Sequence, residues 1–341
     1  MIKSPALAVG WCTALLLAST WARADAVSDF YTGKTVNLVI GYPPGGGYDL
    51  YARTLARHIG RHIPGNPAIV VQNMPGAGSI KAANFLYAIA PKDGLTFGGF
   101  SRGAFIDPLL GRGDGTLYDA RRFSWVGSIS NEVGVCAFRS AAGIRSWADM
   151  QRKPFIVGAT GAGADSDVFP TVLRKMFKLP IKLVAGYGSS AEVVIAIKRG
   201  EVDGRCGWSW SSIKTNHPQW VKDGTLKLLV QLSLAKHADL PDVPLIMDLV
   251  KNPEHEAILR VVFARQVMGR PFLAPPGLPA ERIAALRAAF MATMKDPKFL
   301  AETDKLKLEI NPVSGEAVQQ LVAEIYRTPP EILRKAVEVQ K

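Results

Sequence analysis

Thr35-Val36-Asn37-Leu38-Val39-Ile40-Gly41 runs directly into Tyr42-Pro43-Pro44-Gly45-Gly46-Gly47-Tyr48-Asp49. A short apolar, β-branched run bounded by glycine and proline reads as a buried strand. A helical pattern follows over about residues 48–62, so the stretch is a strand–turn–helix unit. The pattern recurs three times. Ala68-Ile69-Val70-Val71-Gln72-Asn73 leads to Gly76-Ala77-Gly78-Ser79, Phe155-Ile156-Val157-Gly158 to Gly161-Ala162-Gly163, and Ile181–Tyr187 to Gly188-Ser189-Ser190. A helix N-terminus carries unpaired N–H groups and the positive end of the helix dipole, which makes it a ready anion site. Four such ends predict a protein that grips an anion, a carboxylate or a phosphate.

Outward from these units, strand and helix signals alternate, which predicts an α/β architecture with mostly parallel sheets flanked by helices. In the first half the reading gives strands at 35–41, 68–72 and 95–100, helices at 48–62 and 79–90, and a loop over 106–122. Strands over 123–129 and 133–138 mark a crossing into a second lobe. There, strand 155–158, helix 167–177, strand 181–185, helix 190–199 and strands 202–208 and 226–231 follow. The stiff Leu240-Pro241-Asp242-Val243-Pro244 reads as the return path, strand 266–273 as the last of the sheet, and 280–293 as an amphipathic helix burying Ile283, Leu286, Ala289 and Phe290. Lobe I is therefore expected over 25–130 and 245–341, and lobe II over 131–244. Ligands of such sheets bind at the carboxyl ends of the strands. Two facing lobes would set the glycine loops on either side of one cleft that closes by a hinge.

The N-terminus reads as a signal peptide over 1–24: Lys3, an apolar stretch from Ala6 to Ala18, and Ala22-Arg23-Ala24 as the cleavage site, with Ala24-Asp25-Ala26 competing. Trp11 before Cys12 argues against a lipid anchor. Periplasmic export of a soluble chain is expected, because no later apolar run approaches the ~18 residues of a membrane span. The formal charge is +12, which suits an anionic ligand by long-range attraction. The basic residues are scattered and not interleaved with aromatics, so no nucleic-acid partner is expected. Cys136 and Cys206 fall in strands of the same half. They either form a disulfide, which export permits, or remain buried thiols. His58 and His62 share a helix face but lack a third ligand, so no metal and no cofactor is expected.

A catalytic and a nucleotide-binding reading compete with anion binding. Gly99-Phe100-Ser101-Arg102-Gly103 fits a nucleophile elbow, with Asp203 or Asp242 and His255 in hydrolase order, but Pro108, Gly111, Gly113 and Gly115 break the helix that must follow. Gly161-Ala162-Gly163 lacks the third glycine of a dinucleotide loop, and no Gly-Lys-Ser/Thr follows any loop. Binding therefore outranks catalysis. Gly45, Gly46 and Gly47 let a ligand approach the backbone. Asp49 braces the helix start, since its charge would repel a carboxylate. Thr160 and Ser190 are hydroxyl donors or plain caps, Ser79 an N-cap. Tyr187 faces the ligand from a strand end, and Asp203 orients a donor or accepts from a ligand hydroxyl. Arg102 and Arg205 are candidate carboxylate partners by charge or plain solvated cations.

The loops resemble those of a known family, the solute receptors of the tripartite tricarboxylate transporters, called Bug-type receptors. The matching segments are Gly41–Asp49, Asn73-Met74-Pro75-Gly76-Ala77-Gly78, Ala90-Pro91-Lys92-Asp93-Gly94, Gly158-Ala159-Thr160-Gly161-Ala162-Gly163, Gly200-Glu201-Val202-Asp203-Gly204 and Leu273-Ala274-Pro275-Pro276-Gly277-Leu278-Pro279. The resemblance implies a periplasmic binding protein of the two-lobed, type II-like, Venus-flytrap class. It also implies a monomer, not an enzyme, that delivers a small organic anion to membrane permease subunits. A sensory receptor for a membrane signalling protein would use the same surfaces. The family's carboxylate loops correspond to Gly45–Asp49 and Thr160–Gly163. Tyr48 stands where many relatives carry a small hydroxyl residue, which narrows the site or offers a stacking face. The ligand residues expected are Tyr42, Gly45, Gly46, Gly47, Tyr48, Asp49 and Ser101 in lobe I. In lobe II they are Thr160, Gly161, Ala162, Gly163, Tyr187, Ser190 and Asp203.

Overall fold

A computed structural model describes residues 26–45, 47–111, 115–160, 164–187 and 190–341; the signal-peptide reading and Cys12 lie outside them. No helix among the described residues is long and apolar enough to cross a membrane. The chain forms two compact units. The first takes residues up to 101 with 116–129 and 270–319; the second takes 102–115, 130–269 and 320–341.

In chain order the first unit begins with β1 (Thr35–Ile40), β2 (Ala68–Asn73), β3 (Thr96–Gly99) and β4 (Ser124–Ser128). The second unit holds β5 (Gly134–Arg139), β6 (Phe155–Gly158), β7 (Ile181–Val184), β8 (Gly204–Ser209) and β9 (Leu226–Leu232). The chain then returns to the first unit for β10 (Pro271–Ala274) and β11 (Val313–Ser314). The first sheet has the order β11-β4-β10-β3-β1-β2 and the second β7-β6-β8-β5-β9.

Both sheets are mixed rather than mostly parallel. β1 runs parallel to β2 and β3, and β6 parallel to β7 and β8. The strands the chain reaches after leaving and re-entering a unit, β10 among them, pair antiparallel. A βαβ crossover imposes parallel pairing, and these strands are not joined to their neighbours by one.

Local sequence explains each unit's core. β1 lies inside its sheet, so Val36, Leu38, Val39 and Ile40 are all buried, as a strand covered on both faces requires. The helix Gly47–Ile59 buries Tyr51, Ala52, Leu55 and Ile59 on the same core, with Asp49 in its first turn and Arg57 and His58 in its last, signs that suit the helix dipole. The helix Ala280–Thr293 forms as expected and adds Leu286, Ala289 and Phe290, with Ile283 at the margin. In the second unit the helix Ser190–Arg199 packs Val193, Val194, Ala196 and Ile197 against Val135, Ala137 and Trp208.

Three expectations are corrected. Residues 102–115, 245–269 and 320–341, read as lobe I, lie in the second unit. Leu240–Pro244 is not a crossing. It folds back along β9, where Gln231 donates its side-chain amide to the Leu240 and Val243 carbonyls at 2.8 and 2.7 Å and its backbone N–H to Pro244. The predicted strand 266–273 is shorter, because a helix, Pro253–Val267, precedes it. That helix packs Phe263 edge-on against Phe169, with ring centroids 4.9 Å apart. The open question of the cysteines resolves as a disulfide, Cys136–Cys206, joining the neighbouring strands β5 and β8.

Candidate functional site

In the first unit the turn after β1 is held by polar side chains from within. Gly45 adopts φ +88°, a left-handed conformation that only glycine takes without strain. Its N–H donates to Asp49 Oδ2 at 2.9 Å. Arg53 Nε donates to both Asp49 oxygens at 3.0 Å, and Asn73 Nδ2 donates to Oδ1 at 2.8 Å and to the Tyr42 carbonyl at 2.9 Å. Burial works against the Asp49 charge, but the bonds from Arg53, Asn73 and Gly45 outweigh it and hold the carboxyl below its usual range. The carboxylate is therefore occupied inside the protein, and Asp49 braces the turn from within. Gly45 and Gly47 stay exposed.

Ser79 links this turn to the end of β3. It is fully buried at φ +81° and does not cap its helix. Its hydroxyl donates to the Gly41 carbonyl at 3.1 Å and accepts the Ser101 N–H at 3.0 Å. Ser101 is thereby held at the carboxyl edge of the sheet beside the glycine turn. The chain beyond it continues as turns and a short 3-10 helix, Asp107–Leu110, so the helix that a nucleophile elbow needs does not follow.

One side chain at this edge was not anticipated. Arg270 precedes β10, and because β10 runs antiparallel to β3 its amino end lies level with the carboxyl end of β3, where Phe100 N–H bonds the Pro271 carbonyl. The Arg270 backbone is pinned by Ser128 Oγ at 3.0 Å. Its guanidinium lies 4.6 Å from the Tyr48 ring centroid and 4.9 Å from that of Tyr51, and a Cβ on Gly47 would stand 3.9 Å from Arg270 Nη2. Tyr48 in turn stacks on Tyr42 at 4.4 Å and 9°. An arginine fixed between aromatic faces is pre-organised for a planar anion.

In the second unit Gly161, Ala162 and Gly163 lie outside the described residues. The turn's ends are described. Thr160 N–H and hydroxyl both meet Ser166 Oγ at 3.2 Å. The helix Asp165–Met176 starts unusually close to β8, because a Cβ on Gly207 (φ +73°) would collide with the Asp165 carbonyl at 2.3 Å. Asp165 accepts hydrogen bonds from Arg102 Nη2, from Arg265 Nε and Nη2 at 3.2 and 3.1 Å, and from Gln266 Nε2 at 3.0 Å. Arg102 is thus spent on an internal carboxylate.

The remaining expected residues separate. Ser190 opens its helix and is exposed. Tyr187 is half-buried and packs on the second unit's core rather than standing clear. Asp203 is at the wrong edge for a ligand residue at the carboxyl ends. It begins β8 instead of ending it, level with Ile156, whose N–H it accepts at 2.8 Å, while Arg139 Nη2 donates to it at 3.2 Å. Gly46 lies outside the described residues.

No protein-family model matches the chain. A UPF0065 protein of Pseudomonas sp. strain P51 is 22% identical over 330 residues, covering 95% of this chain and 91% of its own. BugT of Bordetella pertussis is 35% identical over 66 residues, covering 19% of this chain and 20% of its own. Among solved structures, a TctC solute-binding protein from Polaromonas aligns with TM-score 0.71 at 19% identity, over 89% of this chain and 99% of that one. The periplasmic binding protein BugD aligns with TM-score 0.57 at 23% identity, over 91% and 100%. An R. palustris protein solved with adipate aligns with TM-score 0.58 at 20% identity, over 90% and 98%. The two mixed sheets with their flanking helices are thus the two-lobed α/β fold of the periplasmic binding proteins. Within that class, the relatives and neighbours bear out the resemblance to the Bug-type receptors of tripartite tricarboxylate transporters read from the loops.

Proposed function

We propose that this chain is a periplasmic solute-binding receptor, exported and monomeric, that captures a small carboxylate and hands it to the membrane permease subunits of a tripartite tricarboxylate-type transporter. The observation that carries this reading is the turn after β1, where Gly45 and Gly47 are exposed, Asp49 braces from behind and Arg270 flanks Gly47. A carboxylate held between the start of this 13-residue helix and the Arg270 guanidinium would gain charge-assisted bonds of about 1.5–3 kcal/mol each. The expected ligand residues of this half are Tyr42, Gly45, Gly46, Gly47, Tyr48 and Ser101, with Arg270 added.

A thermal-shift screen against mono-, di- and tricarboxylates tests the reading. A true ligand at ~100 times its dissociation constant is expected to stabilise the fold by about 2.7 kcal/mol. Arg270→Gln is expected to weaken that ligand at least tenfold, and the ligand's uncharged amide to bind far more weakly than the acid. If no carboxylate shifts the melting temperature, or Arg270→Gln binds as the wild type does, the assignment falls.

The serine hydrolase alternative has its own test. Wild-type protein is expected to leave 4-nitrophenyl acetate unhydrolysed above the buffer rate. Turnover that disappears in Ser101→Ala would restore the enzyme reading.

A further inference from the structure

The second unit contains a cavity of about 640 Å³ between the helix Ser190–Arg199 and the helix Trp210–Asn216, floored by β8. A volume of this size fits a small organic molecule. Among the described residues no aspartate or glutamate lines it, whereas Arg205 and Lys198 do. Arg205 is only 8% exposed. Among the described residues its Nε and Nη1 have no hydrogen-bond partner. Asp165 is the carboxylate that acts on it through space, but Asp165 already accepts bonds from Arg102, Arg265 and Gln266. A buried guanidinium with unmet donors is costly unless an acceptor arrives.

The rest of the wall fixes the kind of acceptor. Val194 and Ile195 present an aliphatic surface, and Ile195 is 46% exposed although it is large and apolar. Trp208 lies beneath the Arg205 guanidinium, 5.8 Å from its ring centroid, and His217 stands edge-on to Trp208 at 5.5 Å. Burial, and then the charge of Lys198, lower the His217 pKa, so at neutral pH the ring is an uncharged aromatic wall. An inorganic oxyanion would meet Arg205 but leave the aliphatic and aromatic walls wet. A carboxylate on an aromatic body satisfies both.

We propose that this cavity is a binding site for a small aromatic carboxylate, with Arg205 as its anion partner and Trp208, Val194 and Ile195 enclosing the ring. It goes beyond capture at the glycine turn of the first unit and uses different side chains; of the residues singled out from sequence, Ser190 and Arg205 line it.

Isothermal titration of the full mature chain with benzoate tests the proposal, with benzamide and inorganic phosphate as comparisons. Benzoate is expected to bind, and the two comparisons to bind at least tenfold more weakly. Arg205→Gln should weaken benzoate tenfold or more. Ile195→Asp, at a solvent-exposed position that leaves the core intact, should do the same by placing a negative charge in the wall, so the test stands even if Arg205→Gln fails to fold. Benzoate binding should persist in Arg270→Gln, which separates this site from the one proposed for the first unit. Absent benzoate binding, binding that Ile195→Asp leaves unchanged, phosphate binding of equal strength, or loss of benzoate in Arg270→Gln would each overturn the assignment.

Discussion

Replacing Cys136 and Cys206 together by alanine is expected to cost about 4 kcal/mol of stability, the loop-closure value for a bridge spanning 70 residues. The bond ties β5 to β8, the pair on which the second sheet is assembled: β6 and β7 join through β8, and β9 through β5. Both cysteines are fully buried, so the loss has a packing share as well as an entropic one. Melting curves of the wild type with and without reductant separate the two. Reduction under unfolding conditions should lower the wild-type melting temperature and leave the double variant unchanged. A wild type indifferent to reductant would mean that the bridge does not form in solution.

The alternation of strand, glycine turn and helix was legible because each unit is local, and the helices 190–199 and 280–293 were read to the residue. The helix Pro253–Val267 was not, although Asn252-Pro253-Glu254 is a strong start signal, with Asn252 accepting the Glu254 N–H at 2.8 Å. Its residues Val261 to Gln266 are all buried in succession. A helix buried on every side loses the 3.6-residue pattern by which it is found. Arg270 escaped for a different reason. Its place beside the glycine turn depends on an antiparallel pairing with β3, and pairing between distant strands leaves no local mark. Asp203 stands at the start of the strand read over 202–208, and the structure keeps it there, with Gly204 paired to Val157; its choice as a ligand residue came from its carboxylate chemistry, not from its edge.

The glycine turn itself carries a lesson about acidic residues in anion sites. Asp49 sits four residues from Gly45, and its charge would seem to oppose a carboxylate. The structure resolves this by turning the side chain inward, where Arg53 balances its charge and Asn73 and the Gly45 N–H donate to it. The fixed negative charge thus braces the turn without facing solvent.

Asp165→Asn is expected to be the most damaging single substitution in the second unit, at about 3–5 kcal/mol, the usual cost of removing one partner from a buried ionic cluster. Asp165 is 12% exposed in its side chain, Arg265 10% and Arg102 19%, so solvent screens the cluster little. Burial disfavours the Asp165 charge, and Arg102 and Arg265, helped by Gln266, more than reverse that and lower its pKa from the ordinary 3.8. The sign for acid stability follows. A carboxyl whose folded-state pKa is depressed stabilises the fold at pH values above its unfolded-state pKa, and that contribution is lost as the pH falls through the folded-state pKa. The wild type should therefore lose stability between pH 5 and pH 2, and Asp165→Asn should show a shallower loss over the same window because part of it is already gone at neutrality. Asp165→Asn combined with Arg102→Gln should cost less than the sum of the two single changes, since the second removes a guanidinium that the first leaves unneutralised. Denaturant melts at pH 7 and pH 3 measure both quantities. An Asp165→Asn protein within 0.5 kcal/mol of the wild type at pH 7, with an unchanged acid slope, would show that the two arginines bonded to it are stabilised by something other than this carboxylate.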